Sequence, residues 1–252
     1  MNNLAHVAFL EYAKQRGIIE NSLNEELKLN KSMREESALD YLKLISEFHK
    51  KIMGYNDYIC YRLQDKRGRI LEQYKIFFKK ATRELQSIRN KEELNSFEKV
   101  SLEYGETYLK ISQKCIEEIS NNGYLELIKR SMNRCEIVLG DNNINNIRKG
   151  EFIEVACLKE CAYDLVELDA VYYLNKLIKK GIKLDYEKLL VKFCEFEYLS
   201  HYSLSFMKAM ITFPHEFIRC FIKGTSKQTE YDVNNYLNKL KKSIEISNIN
   251  LL

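Results

Sequence analysis

Apolar residues recur at three- and four-residue steps along most of the chain, and that spacing predicts helices. The clearest case begins at Glu35, where Leu39, Leu42, Ile45, Phe48 and Ile52 share one face and Gly54 supplies the stop. His49 lies beside that stripe and reads as a packed or capping side chain. Earlier, Leu4, Val7, Ala8 and Leu10, then Ile18, Ile19, Leu23 and Leu27, suggest two short helices broken near Gly17. A charged amphipathic stretch runs from Asp57 to Arg89, and a long helix from Glu92 to Ile119 is closed by Asn121-Asn122-Gly123. Val171 to Leu177 predicts a buried helix ended by Gly181, and Asp185 opens another that runs through Phe196. Ser203 to Phe221 is helical with an interruption at Phe213-Pro214, and Tyr231 to Ile246 forms a last amphipathic helix.

One stretch departs from the helical period. Glu136-Ile137-Val138-Leu139 is a short apolar run that leads into Gly140-Asp141-Asn142 and an Asn-rich segment reaching Asn146. Beyond Arg148-Lys149-Gly150 comes a second β-prone run, Phe152 to Cys157. Turn residues between two such runs predict a hairpin-like arrangement, with Glu136 to Leu139 and Phe152 to Cys157 as the principal strand pair. No internal repeat or low-complexity linker interrupts the chain. The expected class is mainly α with a small β insert, in one compact body.

Composition narrows the function classes. Of 252 residues, 45% are hydrophobic and 30% charged, which excludes a disordered chain and allows a sizeable core. A net charge of +4, spread over 40 basic and 36 acidic side chains, is too balanced to argue for nucleic acid. The seven cysteines are scattered, and without paired C-x-x-C units they read as reduced, mostly buried thiols. Cys157 and Cys161 have the spacing of two metal ligands but lack a second pair. No apolar run approaches the ~18 residues of a membrane span, and the N-terminus lacks a basic segment followed by an apolar core. A cytoplasmic protein with no membrane contact is therefore expected.

Candidate chemistry centres on Asp141 and Asn146, an Asp and an Asn five positions apart on a loop between short strands. Such a pair offers one general base and one metal-ligand oxygen. The same residue types are turn formers that tolerate left-handed backbone. From Arg62 to Arg83, basic residues interleave with Tyr74, Phe77 and Phe78, a pattern able to meet phosphates and bases. Asp65 and Glu72 interrupt it, and a solvated helix face has the same composition.

The order of these features is familiar: a helix ending in Ser46-Glu47-Phe48-His49, long helices, Leu139-Gly140-Asp141 with Asn146, a second strand, then Leu168-Asp169-Ala170. It resembles the C-terminal lobe of aminoglycoside phosphotransferase-like kinases, and most closely the CotS-type spore coat proteins. Phe213-Pro214-His215-Glu216-Phe217 looks like the coat family's Tyr/Phe-Pro-x-x-Phe/Tyr helix. The match runs from about Leu39 to Ser247, leaving residues 1–38 as a helical N-terminal segment ahead of a kinase-like domain at 39–252.

That resemblance implies residue roles and departures from them. Asp141 takes the position of the catalytic base, Asn146 that of an Mg²⁺ ligand, and Asp169 that of a structural brace for the loop. Leu139 stands where the family has a His, and Cys157 where it has the second metal-binding Asp, with no Asp in Glu151 to Glu160. An N-terminal lobe needs roughly 80 to 100 β-rich residues. Here about 38 residues precede the first matching helix, and Lys14, Lys28 and Lys31 lie in no strand pattern. The implied protein is a kinase-like C-terminal lobe without a complete N-terminal lobe, catalytically inactive and free of cofactor. It would serve as a binding or structural component beside other spore coat proteins in a sporulating cell. A second reading is an active small-molecule phosphotransferase using Mg²⁺ and ATP, with Asp141 as base and Glu154 or Glu160 replacing the missing carboxylate. A third is a helical nucleic-acid binder using Arg62 to Arg83, against which the interrupting acids weigh.

Overall fold

In chain order the elements are α1 (Asn3–Gln15), β1 (Ile18–Glu20), α2 (Glu35–Ile52), β2 (Gln64–Asp65), α3 (Arg69–Arg89), α4 (Ser96–Asn121), α5 (Tyr124–Arg134) and β3 (Ile137–Val138). They continue as β4 (Ile147–Lys149), β5 (Ile153–Val155), β6 (Ala162–Tyr163), α6 (Glu167–Lys179), α7 (Tyr186–Glu197), α8 (His201–Thr212), α9 (His215–Thr225) and α10 (Glu230–Ile246). This computed structural model describes residues 3–21, 33–56, 62–140, 146–226, 230–246 and 251. Asp141, Lys28, Lys31, Leu23 and Leu27 lie outside the described residues.

The helical expectations hold where apolar spacing was regular. Helix α2 buries Ala38, Leu42, Ile45, Phe48 and Ile52, and the Met53 N–H closes its last turn on His49 O. Asp185 caps α7, its side chain accepting from the Lys188 N–H. Pro214, which has no N–H to donate, separates α8 from α9. Within the N-terminal segment expected to be helical, Ile18–Glu20 is instead a strand. Three residues are too few to show a period of two, so the pairing of β1 with β5 decides its conformation.

The strand pairing differs from the expected one. Glu136 to Leu139 and Phe152 to Cys157 do not pair with each other; they belong to separate three-stranded sheets, in the orders β1-β5-β4 and β2-β6-β3. Strand β5 pairs antiparallel with β4 across a tight turn in which the Gly150 N–H donates to Phe152 O. Closing that short turn costs less chain entropy than closing the longer loop from Leu139 to Phe152. Strand β3 pairs antiparallel with β6, Ile137 opposite Tyr163 and Val138 opposite Ala162.

By packing, the chain divides into two units in place of the single body expected. One comprises Met1–Gly68 and Gly123–Met207, holding both sheets, α1, α2 and α5 to α7. The other comprises Arg69–Asn122 and Lys208–Leu252, and it is helical. Its core gathers Leu85, Phe97, Tyr108, Phe217, Phe221 and Leu240. A Cβ at Gly105 would sit 2.7 Å from Leu85, so glycine there lets α3 and α4 approach closely. The basic stretch read at Arg62 to Arg83 falls partly on α3, where Tyr74 is buried and stacks on Phe213 at 3.8 Å between centroids. Its aromatic spacing is that of a core face.

Candidate functional site

Strand β3 delivers the chain to Leu139 and Gly140, which immediately precede Asp141 in the sequence. Gly140 has φ of +68, and a Cβ there would lie 2.2 Å from the Glu160 carbonyl oxygen. Only glycine satisfies both the left-handed backbone and that approach. Gly140→Ala is expected to lower stability by roughly 1–3 kcal/mol, measurable as a reduced denaturation midpoint. An unchanged midpoint would show that the loop start relaxes freely.

Asp169, in the first turn of α6, fastens this loop start from below. Its Oδ2 accepts from the Leu139 N–H at 2.7 Å and its Oδ1 from the Gly140 N–H at 3.4 Å. The same Oδ2 lies 2.9 Å from His49 Nε2, and His49 Nδ1 lies 2.7 Å from Glu197 Oε1. Burial pushes the imidazole pKa down, but the Glu197 carboxylate and the bonds to Asp169 and Glu197 outweigh it and raise the pKa to about 10. His49 is thus a cation near neutral pH, holding two buried carboxylates on α6 and α7 to the end of α2.

Asn146 is 1% exposed. Its carbonyl accepts from the Ala156 N–H at 2.8 Å, and its Oδ1 accepts from the Cys157 N–H at 3.2 Å. That donor fixes which amide atom faces Cys157, and it leaves Nδ2 buried without a partner among the described residues. The next amide, Leu158 N–H, donates to Glu20 Oε2 at 2.7 Å. Three successive N–H groups, from Ala156 to Leu158, are therefore satisfied from inside the protein.

Those contacts decide whether the described residues suit the Mg²⁺ that kinase-like chemistry uses. Mg²⁺ prefers carboxylate and phosphate oxygens in near-octahedral geometry. The Asn146 oxygen is engaged, the candidate position Cys157 brings a thiol, and among the described residues no group of three His, Cys, Asp or Glu side chains is placed to hold a metal. Glu154 is committed to the hairpin, accepting from Arg148 Nε at 3.1 Å and Asn21 Nδ2 at 3.4 Å. Glu160 is exposed, with its backbone against Gly140. The described residues do not fit the ion.

A second buried network gathers around Arg130. The five N–H groups of Arg130 reach Glu136 at 2.8 and 3.0 Å, Glu167 at 2.8 Å twice, and Ser203 Oγ at 2.9 Å. Burial, with the Glu167 charge beside it, raises the Glu136 pKa against the pull of Arg130; at Glu167 burial is outweighed by Arg130 together with the Ser203 and backbone hydrogen bonds, and the pKa is lowered. Nearby, burial lifts Asp164 to about 7 although the Leu165 N–H bonds its carboxylate, with Asp169 and Asp65 adding to the rise. Glu20, Arg130, Asp164 and Glu197 were not singled out from sequence; Asp164 lies five residues before Asp169, the only local signal among them.

The sequence matches no protein-family model and no curated protein. The structure is similar to the crystal structure of an aminoglycoside phosphotransferase from Alicyclobacillus acidocaldarius subsp. acidocaldarius DSM 446, with a TM-score of 0.67 and 10% sequence identity. The likeness covers 86% of this chain and 64% of that one, so the chain spans less than two thirds of its neighbour. The likeness establishes a kinase-like, aminoglycoside phosphotransferase-type fold. Among the described residues no helix is long and apolar enough to cross a membrane.

Proposed function

We propose that the protein is a catalytically inactive kinase-like protein that acts by binding or as a structural part. The observation that carries this reading is Asn146: the side chain at the metal-ligand position is buried and its oxygen ties down the Cys157 N–H. Phosphoryl transfer rests on positioning and charge neutralisation, and a site without its metal carboxylate loses both. Asp169 in this reading holds the start of a loop kept for its shape.

Assembly with other spore coat proteins is part of the proposal and rests on the CotS-type resemblance. Of the residues behind it, Phe213 stacks on Tyr74 and Phe217 on Tyr108, so the Phe-Pro-x-x-Phe element organises the core of its unit. Nucleic acid is no part of the reading, because the best-placed aromatic of the basic stretch is buried.

An active phosphotransferase for a hydroxyl-bearing small molecule, such as an aminoglycoside, is the second reading. One observation favours it: Glu160 is exposed and its backbone lies against Gly140, one residue before Asp141. Melting the protein with and without Mg·ATP separates the two. A ligand at a hundred times its dissociation constant adds about 2.7 kcal/mol of stability. The inactive protein shows no shift in midpoint; a rise that is lost in Glu160→Gln supports the second reading.

A further inference from the structure

At the tip of the β4–β5 hairpin a cleft of about 630 Å³ opens between the ends of α1 and α2. That volume lies within the ordinary range for small-molecule sites. Four cations line it, Lys14, Arg16, Lys51 and Lys149, against two carboxylates, Glu47 and Glu151. Lys149 is neutralised by Glu47, with Nζ at 2.7 and 3.0 Å from its two oxygens. The other three cations have no carboxylate partner among the described residues. Arg16 and Lys51 instead donate to each other's backbone carbonyls, at 3.3 and 3.1 Å, and Arg16 also lies over the Tyr12 ring.

Gly17 also lines the cleft. Its φ is +74, and a Cβ there would come 3.3 Å from Lys51 Nζ and 3.6 Å from Phe152 Cδ1, so an ammonium and an aromatic ring flank one bare backbone position. Phe152 remains 46% exposed on the cleft wall. Cations near helix C-termini are favourable to the helices. That benefit does not require them to converge on one concavity, where cations outnumber carboxylates four to two and the surplus positive charge favours an anion.

We propose that this cleft binds an organic phosphate, its anionic group held by Lys14, Arg16 and Lys51 and its apolar part resting on Phe152. Glu151 and the paired Glu47 set the selectivity: they repel anions that cannot reach past them to Lys14, Arg16 and Lys51. The proposal does not depend on the protein being active or inactive.

Calorimetric titration of the full chain with phenyl phosphate and with pyrophosphate tests the site. Saturable one-to-one binding of both is expected, and each of Lys14→Gln, Arg16→Gln and Lys51→Gln weakens it about tenfold, the usual worth of a charge-assisted hydrogen bond. Phe152→Ala weakens phenyl phosphate and spares pyrophosphate. Lys80→Gln, on the exposed side of α3, changes neither. Lys14 makes no bond that folding needs among the described residues, so Lys14→Gln keeps the test informative if the other variants melt early. Absence of saturable binding up to about 10 mM, or affinity untouched by the three substitutions, overturns the proposal. Tighter binding of a single-stranded RNA that displaces phenyl phosphate also overturns it.

Discussion

His49→Ala is expected to lower folding stability by about 3–5 kcal/mol, the loss seen when one member of a buried ion pair is removed. The substitution leaves the carboxylates of Asp169 and Glu197 in the interior without the cation that sits 2.9 and 2.7 Å from them. It also loosens Asp169, and with it the backbone at Leu139 and Gly140. A pH series gives an independent check. The folded-state pKa of about 10 lies above the ordinary imidazole value of 6.5, so the folded chain retains a proton that the unfolded chain releases. The stabilisation is whole below pH 6.5 and drains away as pH rises toward 10. Urea unfolding of the wild type between these limits therefore shows falling stability, and His49→Gln flattens the slope. A wild-type stability independent of pH over this window would mean that His49 is neutral.

Arg130→Ala carries a comparable expected loss, again about 3–5 kcal/mol, because it strands two carboxylates. The Glu136 and Glu167 side chains are 0% exposed and share one guanidinium. Arg130→Lys does not rescue: an ammonium has three donors on a flexible stem, and the two carboxylates are each gripped by a planar fork. Neutralising the partners does rescue in part. In a denaturation cycle, Arg130→Ala combined with Glu136→Gln and Glu167→Gln is expected to cost less than the sum of the separate changes, since residues in one network are not additive. Strict additivity would show that the network contributes nothing as a unit.

What was legible in the sequence depended on how local the determining forces are. Helix α2 and the break at Pro214 follow from residues within a few positions of one another, and periodicity and proline chemistry revealed both. Strands of two or three residues carry no usable period, and their partners lie far away: β1 meets β5 across more than a hundred residues. The expected strand pair therefore failed although each run was correctly identified as β-prone. At the site, His49 reads from sequence as packed, yet the carboxylates that charge it are 120 and 148 positions distant. Nothing adjacent in the chain announces them. Asp169 was singled out through a resemblance, and Arg130, Glu136 and Glu167 look like ordinary surface charges until folding buries them.

The most direct test of the inactive reading is loss of the γ-phosphate from Mg·ATP, followed with radiolabelled nucleotide over hours, with or without a hydroxyl-bearing acceptor. Wild type, Asp141→Asn and Glu160→Gln are expected to release label at the same background rate, because Asn146 Oδ1 is held on the Cys157 N–H and, among the described residues, no group of three His, Cys, Asp or Glu side chains is placed to hold a metal. Release above background by the wild type, abolished in Asp141→Asn, would contradict it and establish the protein as a working phosphotransferase.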